Sequence, residues 1–136
     1  MIFISILQED KKMLFYECKK CGNMVGYIKK GACTAVCCGE PMVEMVANST
    51  DAAQEKHVPV VEYADGKVVV KVGEVNHPMI PEHFIGWVAL ETKKGAQRKE
   101  FTPGDEPCVE FALTADDEPV VAYAYCNLHG LWKKEF

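Results

Sequence analysis

The sequence predicts a mainly β protein in which a small metal-stapled unit precedes an antiparallel β-sandwich. Two close pairs of cysteines, Cys18/Cys21 and Cys37/Cys38, lie within one short stretch near the start. From residue 57 onward the apolar residues come in short β-branched and aromatic runs separated by turn residues, the pattern of strands. Nowhere does a 3.6-residue apolar stripe of helix length appear.

Taken in order, residues 1–45 form the metal unit, 46–56 a connector and 57–136 the sandwich. In the first, Phe15-Tyr16 and Met24 to Ile28 read as β pieces, with a turn at Lys30-Gly31. So short a unit cannot bury enough apolar surface to fold alone, which is why a metal staple is expected. In the connector, Asp51 with Gln54 three residues on suits the cap of one short helical turn before Glu55 and Lys56. About seven strands then follow. Residues 58–64 and 67–73 flank Asp65-Gly66, a strong hairpin signal, and 85–92 and 96–101 flank Lys94-Gly95. Residues 107–113 and 120–126 are parted by the polar Ala-Asp-Asp-Glu-Pro turn, and 130–136 close the chain. Strands at this spacing are typical of a sandwich.

The chain has 136 residues, enough for one domain, or for a domain with a small metal-bound companion. Its formal net charge of −5 excludes the basic stripe that nucleic-acid binding needs. No apolar run approaches the ~18 residues of a membrane span. The opening MIFISIL is apolar but short, lacks a preceding positive charge and runs into Glu9, Asp10, Lys11 and Lys12, so it does not read as a signal peptide. Seven cysteines is an odd number for an exported disulfide scaffold. Thiolates kept for metal in a reducing cytoplasm are the better reading.

Cys18-x-x-Cys21-Gly places two thiolates on one tight turn, where they can clamp a single ion. Cys37 and Cys38 are adjacent, so their side chains are expected to diverge and to reach the same ion only in a distorted tetrahedron. Four thiolates suit zinc or iron, and spacing alone does not separate the two.

The four histidines, His57, His77, His83 and His129, all fall in the sandwich half at expected strand ends or loops, with His57 opening its strand and Cys126 three residues before His129. A lone histidine at such a place is usually a surface or capping residue. Sandwich loops gather at the two edges, however, so convergence of all four is physically easy. Four imidazoles and a thiolate exceed what tetrahedral zinc uses. On iron they leave one octahedral position open, and a thiolate opposite it donates electron density toward whatever binds there. Glu55 and Lys56 directly precede His57. Away from a metal they are solvated charges. Beside an open position Lys56 attracts a small anion and stabilises developing negative charge, and Glu55 can take the position when no substrate is there.

With both clusters placed, residues 13 to about 134 resemble the desulfoferrodoxins, two-domain superoxide reductases. The resemblance runs through F-Y-x-C-x-x-C-G-N, V-C-C-G-E-P-M, E-K-H-V-P-V, K-V-G-x-V-x-H-P-M, C-N-L-H-G and the terminal L-W-K. It implies a desulforedoxin-like (rubredoxin-like) domain with Fe(Cys)4 at Cys18, Cys21, Cys37 and Cys38. It also implies an immunoglobulin-like sandwich with a second iron on equatorial His57, His77, His83 and His129 and axial Cys126. Glu55 and Lys56 match the family's glutamate and lysine. The implied activity is one-electron reduction of superoxide to hydrogen peroxide at the ferrous His4Cys centre, re-reduced by rubredoxin or a similar donor, in a cytoplasmic homodimer. Three departures stand out. Residues 1–12 extend beyond the usual start, making Met13 a plausible initiator. Phe84 stands beside His83 where tryptophan is common. Cys33 and Cys108 belong to no family motif and read as free, partly buried thiols.

Two rival readings come from other classes. A cupredoxin-like electron carrier needs two histidines, a cysteine and usually a methionine just beyond, but Leu131 and Trp132 follow His129. A zinc-stabilised binding module accounts for the cysteines and leaves the histidines unexplained.

Overall fold

The computed structural model describes residues 13–136, so the MIFISIL segment and the proposed extension before Met13 lie outside the described residues. The chain divides into two compact units, with the division between Met45 and Val46.

In the first unit, strand β1 (Leu14–Glu17) lies between β2 (Met24–Tyr27) and the short β5 (Val43–Glu44), all antiparallel. A second ribbon pairs β3 (Val36–Cys37) with β4 (Glu40–Pro41). Among the described residues, only Phe15, Cys18, Met42 and Met45 are buried apolar residues there, too few to hold so small a fold without a staple. Cys33, in irregular chain before β3, is exposed rather than partly buried.

In the second unit, one sheet has the order β10 (Cys108–Ala112), β7 (Lys67–Val72), β6 (Pro59–Ala64). The other has the order β12 (Gly130–Glu135), β11 (Pro119–Cys126), β8 (Ile85–Thr92), β9 (Ala96–Glu100). Seven antiparallel strands in two sheets make an immunoglobulin-like sandwich. The β6–β7 hairpin turns on Asp65-Gly66, both at positive φ (55° and 73°), as a two-residue type I′ turn requires.

Alternation decides what is buried. Along β7, Val68, Val70 and Val72 point inward and Lys67 and Lys71 outward. They meet Phe111 from β10, and Ile85, Val88, Leu90, Ala122 and Ala124 from the facing sheet. Cys126 ends β11 as a fully buried member of this core. Cys108 starts the edge strand β10 on its outward side and is exposed, not partly buried as expected, because the alternation turns it away from the core.

Residues 46–56 cluster with the second unit. Asn48 attaches them to the outer edge of β12: its N–H donates to the Leu131 carbonyl, and its side chain accepts the Lys133 N–H at 2.9 Å. The helical turn α1 (Gln54–His57) follows, with Ala53 rather than Asp51 at its N-cap and no side-chain cap. His57 therefore closes a helical turn instead of opening a strand. Among the described residues no helix is long and apolar enough to cross a membrane.

Candidate metal centres

The first unit gathers Cys18, Cys21, Cys37 and Cys38, with all four sulfur atoms within 4.8 Å of one another. Cys18 and Cys21 share a turn closed by the Gly22 N–H on the Cys18 carbonyl and by the Cys21 N–H on the Cys18 sulfur at 3.5 Å. The adjacent pair also converges, contrary to the divergence expected of neighbouring residues. Cys37 ends β3, and Cys38-Gly39 form a turn with both φ values positive (53° and 76°). The left-handed backbone at Cys38 breaks the strand alternation that would have sent its thiol to the far side.

The sulfurs are arranged for a cation. Tetrahedral ligands about 2.3 Å from an ion lie about 3.8 Å apart, and Cys21 Sγ and Cys37 Sγ are 3.6 Å apart. The Cys21 N–H, the largest influence, holds the Cys18 thiol at about 7. Its neighbours Cys21, Cys18 and Cys37 push the Cys38 thiol up to about 12. Four thiolates at these distances repel each other unless a positive ion is among them.

The second unit brings all four histidines and Cys126 to one end of the sandwich. The rings follow one another around a square: His57 to His77 and His77 to His83 at 4.6 Å between centroids, His83 to His129 at 5.1 Å, His129 to His57 at 4.9 Å. The diagonal from His57 to His83 is 6.2 Å. Each imidazole comes from different local structure: α1 for His57, the loop after β7 for His77, the loop before β8 for His83 and the β11–β12 turn for His129. Cys126 Sγ lies 3.9 Å from His129 Nδ1. A register shift between Tyr125 and Cys126 in the β11–β8 pairing marks a bulge beside the site, a usual device for re-aiming a side chain.

The nitrogen chemistry tests whether a metal fits. His57 Nδ1 lies 2.7 Å from the Ala53 carbonyl, and His77 Nδ1 lies 2.7 Å from the Pro78 carbonyl. A carbonyl only accepts, so each Nδ1 carries the proton and each neutral ring presents a bare lone pair at Nε2. Those two Nε2 atoms face each other at 3.1 Å. Burial keeps the rings neutral: it is the main influence lowering His57, and it takes His77 down to about 4. Two lone pairs at this distance repel unless a cation sits between them. His57 Nε2 is also 3.1 Å from His129 Nδ1, and the centre of a square of that side is about 2.2 Å from each corner, close to a metal–imidazole bond. His83 Nε2 is buried with no hydrogen-bond partner. The residues present fit a four-imidazole, one-thiolate metal centre.

Burial pushes the Cys126 thiol up, and the N–H groups of Leu128 and His129 act against that. Both clusters therefore match iron, one as four thiolates and one as His57, His83, His129 and Cys126 within 4.8 Å of one another, with His77 Nε2 3.1 Å from His57 Nε2.

Glu55 and Lys56 lie on α1, exposed, directly before buried His57. The Lys56 charge contributes to lowering both His57 and His83, after burial and the neighbouring imidazoles. The backbone under these two residues is tightly fixed: the Val75 N–H donates to the Glu55 carbonyl at 2.9 Å. A Cβ on Gly73 would lie 2.5 Å from the Glu55 oxygen and 2.7 Å from the Lys56 carbonyl carbon.

Three residues around the site carried no role in the sequence. Trp132 stacks on His57 and donates Nε1–H to the His129 carbonyl. Gly73 leaves room for the Glu55–Lys56 peptide, and Asn127 bonds to both neighbours of His83. They sit inside the L-W-K, K-V-G and C-N-L-H-G motifs, but no spacing or periodicity marks them.

The desulfoferrodoxin family model matches residues 49–135, and the model of the desulfoferrodoxin N-terminal domain matches residues 10–45. A desulfoferrodoxin homolog of Archaeoglobus fulgidus is 47% identical over 121 residues, covering 89% of this chain and 95% of that protein. A superoxide reductase of Pyrococcus horikoshii is 40% identical over 111 residues, covering 69% of this chain and 96% of its own length. Among solved structures, the superoxide reductase from Treponema pallidum superposes with a TM-score of 0.78 at 42% identity, covering 92% of this chain and all of that one.

Proposed function

Since the chain belongs to the desulfoferrodoxin family, we propose that it is a superoxide reductase, converting superoxide to hydrogen peroxide by one electron and two protons. The observation that carries this reading is the square of four imidazoles backed by one buried thiol, with a lysine exposed beside it. A copper electron carrier would employ two histidines, and this site gathers four. A zinc-stapled binding module has no use for the second site.

His57, His77, His83, His129 and Cys126 would hold an iron ion, which would supply the single electron when ferrous. The residues do the rest. His57 and His77 are held in the ligating tautomer by the Ala53 and Pro78 carbonyls. Cys126, buried and stabilised by two backbone N–H groups, presents thiolate charge from within the core. Lys56 draws the superoxide anion to the site and offsets negative charge as it develops there. Water held at its Nζ delivers protons. Glu55, one residue away, covers the site between turnovers. A one-electron donor, rubredoxin or a similar protein, restores the reduced state, so no dioxygen is formed. The Cys18–Cys21–Cys37–Cys38 iron is assigned to holding the first unit together, in a cytoplasmic homodimer.

Anaerobically purified protein is expected to carry iron at both centres, each visible by electron paramagnetic resonance, and after reduction to consume superoxide rapidly. One zinc, no iron and no reaction with superoxide would overturn the reading.

A further inference from the structure

His83 is held differently from the other histidines. The rings of His57 and His77 are tied to carbonyls, and the His129 carbonyl is gripped by the Trp132 indole. His83 Nε2 is buried without a hydrogen-bond partner, and the residue sits in a tight turn whose backbone closes on Ile80. What fixes that turn is Asn127. Its Oδ1 accepts the Phe84 N–H at 2.8 Å, and its Nδ2 donates to the Glu82 carbonyl at 3.1 Å. The Asn127 N–H donates to the Phe84 carbonyl at 3.2 Å. The peptides on both sides of His83 are thus held by one side chain.

We infer that Asn127 is a positioning residue, clamping Glu82 and Phe84 so that His83 Nε2 stays aimed at the metal. The inference rests on His83 being a ligand of the His4Cys centre. A carboxamide is suited to the task because one planar group offers an acceptor and a donor. Aspartate would keep the bond to Phe84 but set an oxygen against the Glu82 carbonyl, and an apolar residue would keep neither. Asn127 also directly follows Cys126 in the turn that carries His129.

The test is iron release. Full-length ferrous protein is challenged anaerobically with a chelator, and loss from the His4Cys centre is timed, with the Fe(Cys)4 centre of the same chain as internal reference. Partners of ligands typically contribute 10–100-fold in metal affinity. Asn127→Ala is accordingly expected to release the His4Cys iron at least roughly tenfold faster while the Fe(Cys)4 centre keeps its parental rate. Asn127→Asp, retaining one of the two side-chain bonds, should fall between. In the double variant with His83→Ala, release should be no faster than in His83→Ala alone. Parental release from Asn127→Ala, or multiplying effects in the double variant, would overturn the clamp. Should Asn127→Ala not fold, Asn127→Asp decides by the same comparison with the parent. If His83→Ala itself releases iron at the parental rate, the ligand assignment fails; if His83→Ala is fast and Asn127→Ala is parental, only the clamp fails.

Discussion

Trp132 and His57 stack at 4.9 Å between ring centroids, with 30° between their planes, and the same indole donates Nε1–H to the His129 carbonyl at 3.1 Å. One core side chain thus fixes the face of one proposed ligand and the backbone of another. Trp132 is itself 1% exposed, and its strand β12 pairs with β11, which ends in Cys126. Metal site and hydrophobic core share these residues, so disturbing one should disturb the other.

Trp132→Phe separates the two roles, because phenylalanine can stack but cannot donate. Leaving the His129 carbonyl unpaired should destabilise the metal-free protein by about 1–3 kcal/mol, read by urea unfolding. Iron release from the His4Cys centre should also quicken. Unchanged stability would show that water replaces the indole N–H.

Lys56→Ala should slow the second-order reaction with superoxide by roughly tenfold and flatten its dependence on ionic strength, since the steering charge is gone. Gly73→Ala should shift the rate in the same direction without touching any charge. Its Cβ cannot coexist with the Glu55 oxygen 2.5 Å away, so the peptide carrying Lys56 must move. Faster hydrogen exchange at the Val75 N–H, which the Glu55 carbonyl accepts, would register that movement independently. Stopped-flow rates equal to the parent's in Lys56→Ala would remove Lys56 from the mechanism.

Much of this architecture was legible in the chain, for identifiable reasons. Asp65-Gly66 announced its hairpin because two adjacent positive φ values demand such residues, and Val68, Val70 and Val72 revealed a strand by alternation. The convergence of the histidines followed from where sandwich loops must gather. Three things were hidden. Cys37 and Cys38 were expected to diverge, because only the backbone angle at Cys38 brings its thiol round. His57 was placed at the start of a strand, because four residues of helix leave no periodicity to read. Asn127, Gly73 and Trp132 act across loops distant in sequence, where local pattern carries no information.

Metal-free protein should lose stability as pH falls. Burial depresses His57, His77 and His83 in the fold, His77 from 6.5 to about 4, so between these values the unfolded chain binds more protons than the folded one. The stability present above pH 6.5 should therefore decline toward pH 4. Denaturant unfolding of the metal-free protein across this window checks the sign, and a flat profile would contradict it.

Cys18→Ser should remove iron from the Fe(Cys)4 centre and unfold the first unit, in which few of the described residues are buried and apolar. The sandwich should keep its own unfolding transition and its reaction with superoxide. Calorimetry and stopped-flow on the same preparation measure both. A sandwich that melts with the first unit would contradict this expectation.

The central claim, reduction rather than dismutation, is tested most directly by product stoichiometry. Ferrous protein, kept reduced by a one-electron donor under anaerobic conditions, is given a measured quantity of superoxide, and hydrogen peroxide and dioxygen are counted. The predicted result is one hydrogen peroxide for each superoxide consumed, with no dioxygen. Half that yield of peroxide, with an equal amount of dioxygen evolved, would contradict it.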